Sequence, residues 1–178
     1  TDSNEIRKVV ENDKLNVPFL RPNELAKDES GIREVILHAI NYYESKNKNK
    51  IKKIILLQPT SPLRDKQDII NALSIYDNGE YDMVSSVKET KSNPYFVLYE
   101  EEDSGYLKKV KKSSVKQRQL CPKVWELNGA VFIINKLSII KNEMHLFNKI
   151  GKSIMSEDRS VDIDDYLDWQ LAELISKQ

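Results

Sequence analysis

The sequence has 178 residues, a length that suits one domain with a full hydrophobic core. Its 28 Lys and Arg residues balance 28 Asp and Glu residues, so it lacks the basic excess of most nucleic-acid binders. The single cysteine, Cys121, excludes an internal disulfide and is typical of a reducing compartment. No apolar run approaches the ~20 residues that a membrane-spanning helix needs. We therefore expect neither a nucleic-acid nor a membrane partner.

The first half of the chain predicts helices that alternate with strands. In order, these are a helix over 4–13, an extended piece over 17–20, a helix from a cap at Asp28 or Ser30 to about Ser45, a strand over 54–57, a helix capped by Asp65 and a strand over 83–87. The run at 54–57 is apolar and β-branched, which is typical of a central strand covered on both faces. The alternation indicates an α/β fold with an open, mainly parallel sheet.

From Pro94 the pattern changes to that of a hairpin. Residues 95–100 and 106–110 alternate around an acidic turn, which predicts an arm over about 91–120 inserted in the α/β domain. Such an arm cannot bury both of its faces alone, so we expect it to pack against a second copy of the chain. The sheet then resumes at 129–134 and 154–155, and a helix over 165–177 closes the chain.

Two carboxylates precede this last helix. Asp162 and Asp164 are two residues apart, and in an extended segment such residues point to the same side. Two carboxylates can converge on one Mg²⁺, an arrangement that phosphoryl and nucleotidyl transfer require. The alternative is a run of capping residues, and Asp165 fits that role.

A proline-framed segment, Gln58–Arg64, follows the strand at 54–57. In open α/β sheets, ligands bind beyond the carboxyl ends of the strands. Pro59 and Pro62 fix their own φ angles and push the preceding residues, Gln58 and Ser61, toward extended geometry. An amide side chain there can both donate to and accept from a base or sugar. An ordinary proline-rich turn is the alternative.

Several segments, in order, resemble one family. Thr1–Ser3, Arg21–Ala26 (RPNELA), Leu56–Arg64 (LLQPTSPLR), Asn128–Phe132 (NGAVF) and Ser160–Leu167 (SVDIDDYL) resemble the acylneuraminate cytidylyltransferases, or CMP-sialic acid synthetases. The resemblance extends over essentially the whole chain. It implies a Rossmann-like fold of the nucleotide-diphospho-sugar transferase type, a dimerisation arm, a homodimer and a cytoplasmic location.

The resemblance also implies a reaction and a set of site residues. The anomeric 2-hydroxyl of a sialic acid or a related nonulosonate would attack the α-phosphorus of CTP and release pyrophosphate, with Mg²⁺ as cofactor. The sequence leaves open whether Asp162, Asp164 or water takes the hydroxyl proton. The implied roles are nucleotide binding for Arg21, Gln58 and Ser30, sugar binding for Arg118, Asn128 and Phe132, and catalysis with metal binding for Asp162 and Asp164.

Three departures from the family pattern stand out. The family's first strand and its Gly/Ser/Lys/Arg-rich phosphate loop are absent, so we expect these 178 residues alone to be inactive or nearly so. The family's Arg-Pro before Asn-Gly is Glu126-Leu127, so another cation, Arg118 or a neighbouring Lys, must face the sugar carboxylate. The hydroxyl-rich stretch near the base has Gly31-Ile32, with only Ser30 remaining. The second of these departures, the loss of Arg-Pro, makes legionaminic acid a second candidate sugar.

Other interpretations remain open for the chain and for its single residues. The chain could be a non-catalytic fragment that binds a ligand or partner without turnover, or a nucleotidyltransferase for another base or sugar. Arg21 could form a surface ion pair, Arg118 could lie on a solvated face, and Asn128-Gly129 could be only a turn. His38 is expected to be structural.

Overall fold

A computed structural model describes residues 1–27, 30–47 and 50–177. The chain divides into two compact units. The first comprises Thr1–Lys53 and Asn135–Phe147, and the second comprises Ile54–Ile134 and Asn148–Gln178. The assignment of all 178 residues to a single domain, without its phosphate-loop segment, stays a prediction.

Five α-helices and six strands form the described part of the chain. The helices are α1 (Asn4–Asn12), α2 (Ile32–Lys46), α3 (Lys66–Asp77), α4 (Lys136–Lys141) and α5 (Tyr166–Ser176). The strands are β1 (Lys53–Leu57), β2 (Met83–Glu89), β3 (Tyr99–Glu101), β4 (Leu107–Lys109), β5 (Trp125–Asn135) and β6 (Ile150–Ile154). Helices and strands therefore alternate as predicted, although α4 was missed and Met155 lies just beyond β6.

The second unit contains a mixed sheet with the strand order β1-β5-β2-β6. Strand β6 is parallel to β2, whereas β5 is antiparallel to it. Helix α3 packs on β2 and β6. The shared core consists of Ala72, Val84, Ala130, Val131, Ile133 and Met155. These features confirm the predicted α/β class and agree with a Rossmann-like nucleotidyltransferase fold.

The predicted position of β1 in the sheet is wrong. Among the described strands β1 is an edge strand, and Ile55 and Leu57 are 44% and 36% exposed. A run of four apolar residues indicates that a strand forms. It does not specify how many neighbours the rest of the chain brings beside that strand.

Most of the described α-helices begin next to a side chain that caps their first backbone N–H groups. Asp65 and Asp165 each cap the next helix in a full capping box, with Asp68 and Asp168 as the reciprocal partners. Helix α2 is the exception, because its N-cap residue is Gly31 and no side chain caps it. The predicted cap at Ser30 is therefore wrong, since its hydroxyl donates to the Glu24 carbonyl at 3.0 Å instead. The alternative cap, Asp28, lies outside the described residues.

The first unit is held together by aromatic and polar contacts. The Phe19 ring lies 5.0 Å from the His38 ring and 4.6 Å from the Tyr42 ring, and the Tyr42 hydroxyl donates to the Pro18 carbonyl at 2.7 Å. This placement agrees with a structural role for His38. The Arg33 guanidinium donates to the last carbonyls of α4, which connects that helix to α2.

The predicted hairpin is present, with shorter strands than the sequence indicated. Strands β3 and β4 pair antiparallel between Tyr99 and Lys109, with Gly105 at φ 78° in the turn. Apolar side chains at both ends of this hairpin face solvent, and they are Val97, Leu98, Tyr99, Tyr106, Leu107 and Val110. The hairpin therefore exposes apolar surface that it cannot cover itself.

No helix in the described ranges combines the length and the apolar character needed to cross a membrane.

Candidate active site

A cleft of about 480 Å³ opens on the second unit. Its lining comes from strands β2 and β5, from the segment before α5 and from α5 itself. The described lining residues are Lys88, Glu126, Leu127, Asn128, Glu157, Asp158, Ser160, Val161, Asp162, Asp164, Asp168, Leu171 and Ile175. Both aspartates predicted to bind metal are among them.

Asp162 and Asp164 line this cleft because the residue between them points away. The Ile163 N–H donates to the Thr60 carbonyl at 2.8 Å, so the segment runs extended beside the proline-framed loop. Ile163 lines a separate apolar groove with Pro59, Pro62 and Leu63. Residues that alternate along an extended segment point to opposite sides. Asp162 and Asp164 therefore line the same cleft, and their role as metal ligands stays a prediction.

The proline-framed loop meets Asp162 at Gly129. Gly129 has a φ of 72°, a conformation that residues with a side chain rarely adopt. A Cβ placed there would lie 2.8 Å from Gln58 Oε1, 3.4 Å from Asp162 Oδ2 and 3.6 Å from Ser61 Oγ. Three side chains from two distant segments therefore converge on one backbone position that has no side chain of its own.

Ser61 connects the loop to the metal-binding candidates. Its side chain is fully buried, and its hydroxyl lies 3.3 Å from Asp162 Oδ1 and 3.4 Å from the Asn128 carbonyl. Arg64 holds the same loop, because its guanidinium donates to the Gln58 and Ser61 carbonyls at 2.5 and 2.6 Å. Partial burial lowers the pKa of the Arg64 guanidinium, which nevertheless stays protonated at neutral pH. Arg64 therefore helps the two prolines, Pro59 and Pro62, to hold the conformation of the proline-framed loop.

Asn128 is braced inside the protein. Its side-chain oxygen accepts from the Ser86 hydroxyl at 2.6 Å and from the Ala130 N–H at 3.3 Å. Its amide nitrogen donates to Ser160 Oγ at 2.8 Å and to the Met155 sulfur at 3.5 Å. An amide group offers two donors and two acceptor sites, so these contacts use all of them. The network joins β2 and β5 to the segment that carries Asp162.

Arg159 fixes that segment from its other side, a role that the sequence did not indicate. Its guanidinium lies 3.2 Å from Asp68 Oδ1 and 3.0 Å from Asp65 Oδ2 at the start of α3. Asp68 is only 2% exposed, and a buried carboxylate requires such a partner. A backbone hydrogen bond from Asp68 contributes most to holding the pKa of Asp65 below its usual range. Burial opposes this effect, and the charge of Arg159 lowers the pKa further.

The cleft carries a strong excess of negative charge. Six of its lining residues are carboxylates, namely Glu126, Glu157, Asp158, Asp162, Asp164 and Asp168. Lys88 is the only lysine or arginine among the described lining residues, and its Nζ lies 3.2 Å from Glu126 Oε1. An anionic ligand would be repelled here without an added cation.

The donor set fits a hard divalent cation only in part. Carboxylate oxygens are the ligands that Mg²⁺ prefers, and Mg²⁺ often uses one or two carboxylates together with substrate phosphates and water. No group of three or more His, Cys, Asp or Glu residues with metal-site geometry occurs in the described part of the chain. Asp162 and Asp164 thus suit a shared site that substrate oxygens complete, rather than a cage built by the protein.

The remaining predicted site residues lie elsewhere. Arg118 lines a second cleft of about 250 Å³ in the same unit, and its guanidinium donates to the Lys91 carbonyl at 2.8 Å. Phe132 is 7% exposed in the core of β5 and lines neither cleft. Arg21 and Ser30 belong to the first unit, where Arg21 pairs with Asp2 at 2.6 Å and lowers its pKa through that hydrogen bond.

Comparison with known proteins identifies the family. The chain is 30% identical over 178 residues to the post-translational flagellin modification protein B of Campylobacter coli. This match covers all of the chain and 75% of the Campylobacter coli protein. The chain is 35% identical over 163 residues to the N-acylneuraminate cytidylyltransferase of Escherichia coli O18:K1:H7. This match covers 90% of the chain and 37% of the relative. The CMP-N,N'-diacetyllegionaminic acid synthase of Campylobacter jejuni is 29% identical to the chain over 175 residues. This match covers 98% of the chain and 74% of the synthase.

No family model matches the sequence. The relatives nevertheless match nearly the whole chain, and two of the segments that carry the earlier resemblance, Asn128–Phe132 and Ser160–Leu167, contribute residues to one cleft. The chain belongs to the acylneuraminate cytidylyltransferase family, whose members include synthases of CMP-sialic acid and CMP-legionaminic acid. It spans about a third of the E. coli relative and about three quarters of the two Campylobacter proteins.

Gly129→Ala should strain the backbone and displace Gln58. The left-handed φ should cost about 1–2 kcal/mol of unfolding free energy. The crowding itself should cost little more, because Gln58 Oε1 is the end of a flexible side chain. Gly105→Ala is the matched control, since Gly105 has a φ of 78° with no atom within 4 Å of the added Cβ.

Urea unfolding should therefore give similar losses for the two variants. Side-chain amide NMR signals of Gln58 should shift only in Gly129→Ala. Unchanged Gln58 signals in that variant would show that the loop and Gly129 are not in close contact.

Proposed function

We propose that the protein transfers CMP from CTP to the anomeric 2-hydroxyl of a nine-carbon α-keto acid sugar and releases pyrophosphate. The observation that carries this proposal is the convergence of Gln58, Ser61 and Asp162 on Gly129, beside a cleft that also receives Asp164. The family relationship supports CTP as the donor. The relatives' names support either an N-acylneuraminate or an N,N'-diacetyllegionaminic acid as the acceptor.

The charge of the cleft supports a requirement for Mg²⁺. CTP and a keto acid sugar are both anions, and six carboxylates line the cleft. Asp162 and Asp164 would hold the cation, because they share one side of an extended segment. When bound, Mg²⁺ would neutralise the charge that gathers on the phosphate oxygens during transfer.

In the proposed reaction, the sugar's 2-oxygen forms a bond to the α-phosphorus while the bond from that phosphorus to the bridging oxygen breaks. Pyrophosphate leaves with the electron pair of the broken bond. The hydroxyl proton passes to Asp162, Asp164 or water. Ser61, whose hydroxyl donates to Asp162, and Arg159, which anchors the segment before it, hold the carboxylates in place. Such positioning is a main contribution of the protein in phosphoryl transfer.

The proposed ligand contacts divide between the two substrates. Gln58 would bind the nucleoside, since the prolines and Arg64 hold it in a stiff loop. Arg21 and Ser30 stay predictions from the family resemblance. Asn128 would support the sugar pocket as a brace, because its amide is already saturated with protein partners. Direct sugar contacts by Arg118 and Phe132 also stay predictions.

The single free cysteine fits a reducing compartment, and we propose a cytoplasmic location on this basis together with the family relationship. The relatives' names do not favour a non-catalytic fragment.

Pyrophosphate release by the full-length protein that contains this chain, over a panel of CTP, UTP, GTP and ATP with each of the two candidate sugars, tests the proposed reaction. We expect release only with CTP, because the stiff Gln58 loop would select one base. Turnover with GTP but not with CTP would overturn the proposal that CTP is the donor. CTP binding without turnover with either sugar would favour a binding protein.

Asp164→Asn should abolish Mg²⁺-dependent turnover and leave folding intact. We expect a loss of at least about 100-fold in kcat, by analogy with removal of one electrostatic contact to a transition state. Unfolding free energy should change by no more than about 0.5 kcal/mol, because Asp164 is exposed. Asp158→Asn is the control, since it removes the same charge from the same cleft. Equal losses in both variants would indicate a general charge effect rather than a metal ligand.

We also propose that the β3–β4 hairpin mediates a homodimer, because its apolar side chains at Tyr106 and Leu107 are 75% and 69% exposed. Deletion of 94–110 should convert dimers to monomers in sedimentation equilibrium. Tyr106→Ser with Leu107→Ser should weaken the dimer without removing the hairpin. A dimer that persists in both variants would show that the interface lies elsewhere.

A further inference from the structure

Lys88 occupies an unusual position in the cleft. It lies on β2, its side chain is 31% exposed, and it is the one cation among the described residues that line a cleft with six carboxylates. A lysine ammonium is a compact charge with three donors. Its partner, Glu126, accepts from it at 3.2 Å and leaves donors free for a ligand.

The pair is built into the sheet. Lys88 and Glu126 are directly opposite each other in the antiparallel register of β2 and β5, so their side chains lie on the same face. Partial burial raises the pKa of Glu126, but hydrogen bonds from Thr90 and Lys88 outweigh it and the net pKa is lowered. Glu126 is therefore ionised at neutral pH and holds the Lys88 ammonium at the cleft wall.

The proposed acceptor carries a carboxylate that needs its own counter-charge. A metal held by Asp162 and Asp164 would serve the phosphates of CTP and not the sugar carboxylate. Arg118, the cation expected from the sequence, lines a different cleft and donates to a backbone carbonyl. Among the described residues that line this cleft, Lys88 is thus the lysine or arginine available to an acceptor, whereas Lys91 lies outside the lining and pairs with Glu157.

We propose that Lys88 binds the carboxylate of the keto acid sugar and that Glu126 positions its ammonium. The inference deepens the proposed function and rests on it. The acceptor class is a sugar acid, and an ester or amide at the same carbon would be disfavoured. Glu126 has a second effect, because without Lys88 it would face the acceptor as an unpaired like charge.

Steady-state kinetics of Lys88→Gln test the proposal, with N-acetylneuraminate and N,N'-diacetyllegionaminate as the acceptors. A charge-assisted hydrogen bond is worth about 1.5–3 kcal/mol, which corresponds to a rise of about 10-fold to 100-fold in the acceptor's KM. The KM for CTP should stay unchanged. Lys149→Gln is the matched control, because Lys149 forms an exposed pair with Glu80 at 3.5 Å outside the cleft. That control should keep both KM values.

The double variant Lys88→Gln with Glu126→Gln separates contact from charge balance. If Lys88 binds the carboxylate, the double variant should stay at least about 10-fold weaker than the parent for the acid. If Lys88 only neutralises Glu126, the double variant should recover the parent's KM, and that result would overturn the proposal.

Calorimetric titration with N-acetylneuraminate and its C1 methyl ester completes the test. The parent protein should bind the acid more tightly than the ester, and Lys88→Gln should lose this preference. An unchanged preference in Lys88→Gln would overturn the inference while leaving the proposed function intact. A full-length parent protein that binds neither sugar acid and releases no pyrophosphate from CTP would overturn the proposed function itself.

Discussion

The close approach of two chain segments at Gly129 is the constraint on which the site depends. A backbone with φ 72° and no side chain lets Gln58 and Asp162 reach the same point, with Ser61 behind them. A side chain there would crowd the Gln58 amide and strain the backbone. The Asn128 network and the Arg159 contacts with Asp65 and Asp68 hold the surrounding backbone, so this approach is supported from both sides.

Charge is the second organising feature of the cleft. An excess of carboxylates would repel anionic ligands, unless a divalent cation and a small number of fixed ammonium groups offset that negative charge. The cross-strand pair of Lys88 and Glu126 places one such ammonium in the lining of the same cleft as Asp162 and Asp164. Under the proposed function, the two aspartates would hold the metal and the Lys88 ammonium would bind the sugar acid.

Under the proposed function, Lys88 would also compensate for Glu126-Leu127, the positions at which the family resemblance implies Arg-Pro. The positive charge would then come from β2, the neighbouring strand. A lysine differs from an arginine in reach and geometry, so we expect this change to affect which sugar fits and not the chemistry of transfer.

The sequence by itself determined the features that depend on neighbours a few residues away. The capping boxes at Asp65 and Asp165, the alternation of helices and strands, and the shared side of Asp162 and Asp164 follow from local backbone geometry. Only the tertiary structure decided that β1 lies at the edge, that Asn128 is saturated and that Lys88 rather than Arg118 lines the cleft. The physical reason is distance along the chain, because Ser61 meets Asp162 across 101 positions and Arg159 meets Asp65 across 94. Local patterns carry no information about such partners, which are selected by the packing of the whole sheet.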